Sequence, residues 1–175
     1  MIEKKIIRQE VKEKLDKIND VQRKVASSKI IGYLKTLIDK FDVWAIYLAM
    51  NDEPDIDEFI KILKNYNKKT VLPQVMWDGV IRSVMYSSYS EFKKWRFGNR
   101  EIIHPQIYKW KIDVILIPWI AFDKKWVRLG RWGGYYDRFL KNYPESKKIW
   151  VCFSCQIYDE LPLQAHDVLM DEVLY

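Results

Sequence analysis

Between Arg128 and Asp137 the chain reads Arg-Leu-Gly-Arg-Trp-Gly-Gly-Tyr-Tyr-Asp, and this stretch holds three of its six glycines. Such a segment can do phosphate chemistry. Gly130, Gly133 and Gly134 let backbone come close to an anion, the loop N–H groups point at it, and Arg128 and Arg131 add charge. Asp137 at the far end is a hard oxygen ligand of the kind that holds magnesium bridging phosphate oxygens. A Gly-Gly-Tyr-Tyr stretch alone is also found in plain loops. Lys4, Lys5 and Arg8 fall at helical spacing near the N-terminus, where basic residues ordinarily form a solvated face. Glu53 beside Pro54 is by default a turn residue, and Asp167 a turn or cap residue. His104 and His166 have no partner at metal-ligand spacing.

Cys152 and Cys155 form a C-x-x-C. Zinc would need two more ligands, and no second cysteine pair exists. Trp150-Val-Cys-Phe-Ser reads as a strand, in which positions i and i+3 face opposite sides. Two reduced thiols near the core are therefore expected rather than a redox pair.

The elements that must position these groups follow from periodicity. Residues 2–16 and 20–39 read as amphipathic helices, the second capped by Asp20. Residues 43–50 (VWAIYLAM) read as a buried strand, Asn51 to Pro54 as a turn and 56–65 as a helix. Strands are expected over 70–73, 80–86, 112–117, 149–153 and 172–175, and a helix over 134–142. Residues 87–111 read as irregular, with a helical turn near 90–94. Alternating strands and helices predict an α/β fold, one domain over 1–175, with a mostly parallel sheet covered on both faces. Ligands of such sheets sit beyond the carboxyl ends of the strands. Two loops there carry suitable chemistry, Asn51–Pro54 and Trp119–Tyr136.

Bulk properties narrow the partners. Apolar content of 49% and charged content of 31% describe a globular protein with a sizeable core. No apolar run approaches the roughly 20 residues of a membrane span, and the charged N-terminus lacks a signal-peptide core. A cytoplasmic location, no membrane and a monomer are expected. The net charge of +6 suits an anionic partner. It is spread among 24 acidic residues rather than gathered in an aromatic-interleaved stripe, so nucleic acid is not expected.

Further matches give the loop a context. Ile-Pro-Trp-Ile-Ala-Phe-Asp at 117–123, followed by the Arg128–Asp137 segment, resembles the 5-formyltetrahydrofolate cyclo-ligase (methenyltetrahydrofolate synthetase) family. Lys4-Lys-Ile-Ile-Arg8 looks like its N-terminal basic helix, and Tyr47-Leu-Ala-Met-Asn-Asp-Glu53 like its substrate strand and loop. Phe97-Gly98, His166-Asp167 and Asp171-Glu-Val-Leu-Tyr175 follow in the family's order. The resemblance spans nearly the whole chain. It implies a three-layer sandwich, Rossmann-like, of the kind shared with sugar-phosphate isomerases and CoA-transferases.

It also implies ATP-dependent closure of 5-formyltetrahydrofolate to 5,10-methenyltetrahydrofolate. A phosphoryl group passes from ATP to the formyl oxygen, N10 attacks the formyl carbon, and phosphate leaves. Such transfer needs positioning and charge neutralisation more than covalent help. By resemblance, ATP is bound by Lys4, Lys5, Arg8, Arg128, Leu129, Gly130, Arg131, Trp132, Gly133, Gly134, Tyr135 and Tyr136. Leu48, Glu53, Arg131, Gly133, Gly134 and Tyr135 contact the folate, with or without its polyglutamate tail. Arg131 and Tyr135 act in catalysis, and Asp137 and Asp167 hold Mg2+. Tyr135 and Tyr136 suit packing against flat rings.

One departure recurs. Trp95, Trp119, Trp126, Trp132 and Trp150 stand where the family has glycine. Glycine makes up only 6 of 175 residues, about 3% against a usual ~7%. Tryptophan is a poor substitute where φ is positive or a ligand lies close. The expectation is that these codons are UGA, which some bacterial lineages read as glycine, and that Trp44, Trp77 and Trp110 fall under the same suspicion. The rival reading is a genuine tryptophan-rich variant: a real Trp132 would put an indole where phosphate should lie, and the chain would then be a catalytically impaired homologue of the family. Two other functions compete: a sugar-phosphate isomerase or acyl-CoA-transferase-like enzyme, which would want the anion loop but not Glu53, Asp137 and Asp167 together, and a basic RNA-binding module, whose affinity would fall steeply with salt.

Overall fold

The structure is a computed structural model that describes residues 4–94, 98–125, 127–130, 134–161 and 168–175. Six strands form the central sheet: β1 (Val43–Ala45), β2 (Lys69–Val75), β3 (Ile81–Met85), β6 (Val114–Pro118), β9 (Lys147–Val151) and β11 (Glu172–Leu174), in the order β11-β9-β6-β1-β2-β3. Five run parallel. β3 is antiparallel to β2 through the turn at residues 76–80. This is the mostly parallel α/β sheet expected from the alternation of elements.

Alternate residues of each strand face opposite layers. Trp44, Val114, Leu116, Ile149 and Val151 pack against helices α2 (Asp20–Lys35) and α3 (Asp57–Asn65). Ala45, Ile115, Ile117 and Trp150 point the other way, towards Phe139 and Leu140 of α4 (Tyr135–Lys141). Helices therefore cover both faces. Helix α1 (Lys4–Asp16) stands apart and buries Ile7, Val11 and Leu15 against a small sheet of β7 (Ala121–Asp123), β8 (Arg128–Leu129) and β10 (Ile157–Tyr158).

Several boundaries differ from the sequence reading. The cap of α2 is Asn19, not Asp20: its side chain accepts from the Gln22 amide at 2.9 Å while Gln22 Oε1 accepts from the Asn19 amide at 3.0 Å, a reciprocal capping box. α2 stops at Lys35 because the Thr36 amide and hydroxyl both take the Tyr33 carbonyl. A short 3-10 turn, Ile38–Lys40, follows. β1 ends at Ala45 rather than Met50. From Tyr47 the chain folds back, and the Tyr47 hydroxyl donates to the Pro54 carbonyl at 2.7 Å.

Residues expected to be irregular form a hairpin, β4 (Phe92–Lys94) with β5 (Arg100–Ile102). Its anchor is the buried Gln74, whose amide bonds both backbone groups of Ile102 (3.1 and 2.8 Å). No local periodicity announces that contact. The small sheet was equally unpredicted, and Asp123 explains it. Its fully buried carboxylate accepts from the amides of Lys125 (2.8 Å), Val127 (3.0 Å) and Leu161 (2.8 Å). The β7–β8 turn and the approach to residue 162 are thereby tied together.

Candidate functional site

The Gly/Arg segment lies beside the loops that leave β6 and β2: the Trp119 ring packs against Gly130, and Gly79 lies near the Tyr135 hydroxyl. Arg8 on α1 donates from Nε to the Gly130 carbonyl at 3.0 Å, so the N-terminal basic helix is held against the start of that segment across 122 residues of sequence. Burial lowers the Arg8 guanidinium somewhat from its usual value. Lys4 is half-buried and Lys5 exposed on the same helix. At the other end of the segment Gly134 adopts φ +63°, a left-handed conformation that suits glycine, and precedes α4. α4 has only seven residues, so its dipole contributes little.

Arg128 and Asp137 are both buried, and Arg128 Nη2 donates to Asp137 Oδ1. The same oxygen receives the Val168 amide at 3.3 Å. The residue that follows Asp167 is thus seated at Asp137. Nη1 of Arg138 and Oδ2 of Asp137 lie 3.6 and 3.7 Å from where a Cβ on Gly134 would stand, so a guanidinium borders that carboxylate oxygen. Among the described residues no group of three or more His, Cys, Asp or Glu is arranged to hold a metal. Asp167, Arg131, Trp132 and Gly133 lie outside the described residues, as do Trp95, Phe97, Trp126 and His166.

Tyr135 is 36% exposed at the rim. The Arg138 guanidinium lies 5.0 Å from its ring centroid, and the turn before β3 approaches its hydroxyl at Gly79. Tyr136 instead faces inward against Trp119 (5.5 Å) and Phe139 (6.1 Å). Leu129 is buried in the cluster under α1. On the β1 side, Glu53 is half-buried and its Oε2 accepts from the Met50 amide at 2.9 Å, closing the turn it belongs to. Leu48 packs partly buried nearby, and Gly98 comes up against Met50. Two surface hollows, one along Lys29–Tyr33 and Val173–Tyr175, the other along Lys109–Ile112 and Asn142–Ser146, are lined by none of these residues.

The two flagged tryptophans that are described sit poorly. The indole nitrogens of Trp119 and Trp150 are buried, and among the described residues neither has a hydrogen-bond partner. A buried indole N–H ordinarily finds one. The Trp119 ring also lies so close to Gly130 that any Cβ there would overlap it. Trp44 differs in its indole N–H, which donates to the Phe41 carbonyl at 3.2 Å; in ring packing the three are alike, Trp44 lying edge-on to Phe41 and Phe59, Trp150 edge-on to Phe122 at 4.5 Å, and Trp119 against Tyr136 with the Arg128 guanidinium 4.7 Å from its ring centroid. Trp77 and Trp110 are exposed. Cys152 is buried on the α4 side of the sheet and Cys155 half-buried towards α1, both as free thiols, and burial pushes both upward in pKa.

Sequence reasoning missed two residues that organise this region. Asp123 was visible only as part of a motif. Arg23 sits on α2 with no motif around it, yet donates to three backbone carbonyls from two other segments.

A basic helix bonded to the start of a Gly/Arg loop, beside a mostly parallel sheet covered by helices, defines an α/β protein. Comparison with known proteins specifies the class. A profile of the 5-formyltetrahydrofolate cyclo-ligase family matches residues 1–175, and the chain belongs to that family. It is 27% identical over 181 residues to the 5-formyltetrahydrofolate cyclo-ligase of Haemophilus influenzae, covering 96% of this chain and 95% of that one. It is 28% identical to the mouse (Mus musculus) 5-formyltetrahydrofolate cyclo-ligase over 145 residues, covering 75% of this chain and 71% of that one. The NMR structure of Aquifex aeolicus 5,10-methenyltetrahydrofolate synthetase superposes with a TM-score of 0.85 at 29% identity, covering 98% of this chain and 88% of that chain.

Proposed function

We propose that the chain closes 5-formyltetrahydrofolate to 5,10-methenyltetrahydrofolate at the expense of ATP. The observation that carries this reading is the Arg8–Gly130 bond, which joins the basic helix to the Gly/Arg segment at the sheet's carboxyl edge. The formyl oxygen takes the γ-phosphoryl group and ADP departs. N10 then attacks the formyl carbon, the C–O bond to phosphate breaks, N10 gives up its proton, and phosphate leaves. Lys4, Lys5, Arg8 and the backbone from Arg128 to Gly134 hold the nucleotide, with Arg131 placed in sequence to neutralise the moving phosphoryl group. Tyr135 at the rim offers a ring edge to the substrate. Leu48 and the turn closed by Glu53 form the folate side.

Asp137 and Asp167 are the residues that would hold magnesium, as the family resemblance implies. One carboxylate from residue 137 with one from residue 167 suits a cation that retains waters. A magnesium ion held there would neutralise phosphate oxygens. Arg128 restrains Asp137 from below.

Incubation with 5-formyltetrahydrofolate and Mg-ATP, followed by the absorbance of the methenyl product, tests the reading. The version with glycine at 95, 119, 126, 132 and 150 is expected to turn over, and the tryptophan version to be inactive or insoluble. Removal of divalent cations by a chelator should abolish turnover and added Mg2+ restore it. No product from the glycine version would sink the assignment. Equal rates from both versions would refute that difference, and UGG codons at the five positions would show that the indoles are encoded. Replacing a large buried aromatic ordinarily costs about 3–5 kcal/mol; at 119 and 150 no such loss is expected.

A further inference from the structure

Arg23 lies outside every segment assigned a role so far. Its Nε donates to the Ile18 carbonyl at 3.2 Å, Nη2 to the Leu15 carbonyl at 2.5 Å and Nη1 to the Asn51 carbonyl at 3.0 Å. Its guanidinium also lies over the Phe153 ring, 5.3 Å from the centroid. Leu15 is the last buried residue of α1, and Ile18 follows that helix. Asn51 lies in the turn in which the Glu53 amide donates to the Met50 carbonyl at 3.1 Å. Phe153 follows β9 and packs in the cluster beneath α1. One planar cation on α2 therefore fastens the end of the helix that carries Lys4, Lys5 and Arg8 to the turn that carries Glu53.

We propose that Arg23 is a positioning residue that sets the spacing between the nucleotide side and the folate side of the site, so that binding of either co-substrate favours binding of the other. The proposal rests on the cyclo-ligase reading above. The fork is what matters: guanidinium presents fixed donors in several directions, whereas a lysine ammonium is a point charge on a flexible stem and cannot hold three carbonyls in this plane. Leu15 and Asn51 meet through this guanidinium, so loosening Arg23 weakens the link between the end of α1 and the turn, while the Asp55 amide still donates to Ser27 Oγ at 2.9 Å and the core packing of α2, through Ile30, Ile31 and Leu34, is untouched.

The test is Arg23→Lys in the version of the chain that turns over, with KM for each substrate measured at several concentrations of the other. Both KM values are expected to rise about tenfold, kcat to stay within about twofold, and the dependence of one KM on the other substrate to vanish. Arg23→Met is expected to do the same, since it too lacks the fork. Unchanged KM values in Arg23→Lys, or a fall in kcat at constant KM that tracks a lower fraction of folded protein, would overturn the proposal. Failure of the parent chain to form methenyl product would instead overturn the function, and the role of Arg23 with it.

Discussion

Asp137 and Arg128 form a charge pair that is almost sealed from water. Two charges in a low-dielectric setting are stable only together. Removing one leaves the other uncompensated, at a cost of about 3–5 kcal/mol. Arg128→Met and Asp137→Asn should each lower the unfolding free energy by that order in urea titrations. The double variant should regain part of the loss, because no bare charge remains. All three should lack activity if Asp137 serves magnesium. At this scale the sequence was informative about residue types but silent about pairing. It marked Arg128 and Asp137 as parts of one loop with separate duties towards phosphate and metal. The fold shows them bonded to each other. Arg23 had no such signal, since its partners are carbonyl oxygens, which every residue carries.

The parallel strands announced themselves through continuous apolar runs, as at Val114–Pro118, and their burial on both faces is the reason. β4 and β5 did not. They are three residues each, β4 is exposed, and a buried glutamine fixes them from a distance. Between these extremes, Asp113 joins the entry of β1 to that of β6. Its Oδ2 accepts from the amides of Asp42 and Val43, each at 3.0 Å. Burial pushes this carboxyl up, but the two amides and Lys111 outweigh it, and the net shift is downward. A carboxylate with a lowered folded pKa contributes stability that is full above its ordinary value of ~3.9 and is lost as pH falls through the lower folded value. Asp113→Asn should therefore cost about 1–2 kcal/mol near neutral pH and unfold with a shallower acid dependence below about pH 4, measured by thermal melts across pH.

The molecule as a whole divides its core into the two faces of the central sheet and a separate cluster under α1. α1 is thus both the basic arm of the site and the cover of the small sheet. Starting the chain at Asn19 should uncover Ala121, Val127, Leu129 and Phe153 together. The expected result is binding of an apolar dye and loss of near-ultraviolet dichroism rather than a folded protein that merely lacks ATP affinity. The domain-wide plan, a parallel sheet with its chemistry at one edge, was legible because helices and strands alternate. The small sheet was not, because its strands are two or three residues long and are joined through a buried carboxylate.

The margins of the central sheet have one more consequence. β3 is a margin whose outer side is occupied: the Met85 amide donates to Gln106 and the Tyr108 amide to Ser83, at 2.9 and 2.8 Å, with a bridge between Val84 and Ile107. The opposite margin, β11, is three residues long. Neither offers a long row of open backbone groups on which a second chain could template itself. At its two margins, then, this apolar sheet gives a second chain little edge to pair with.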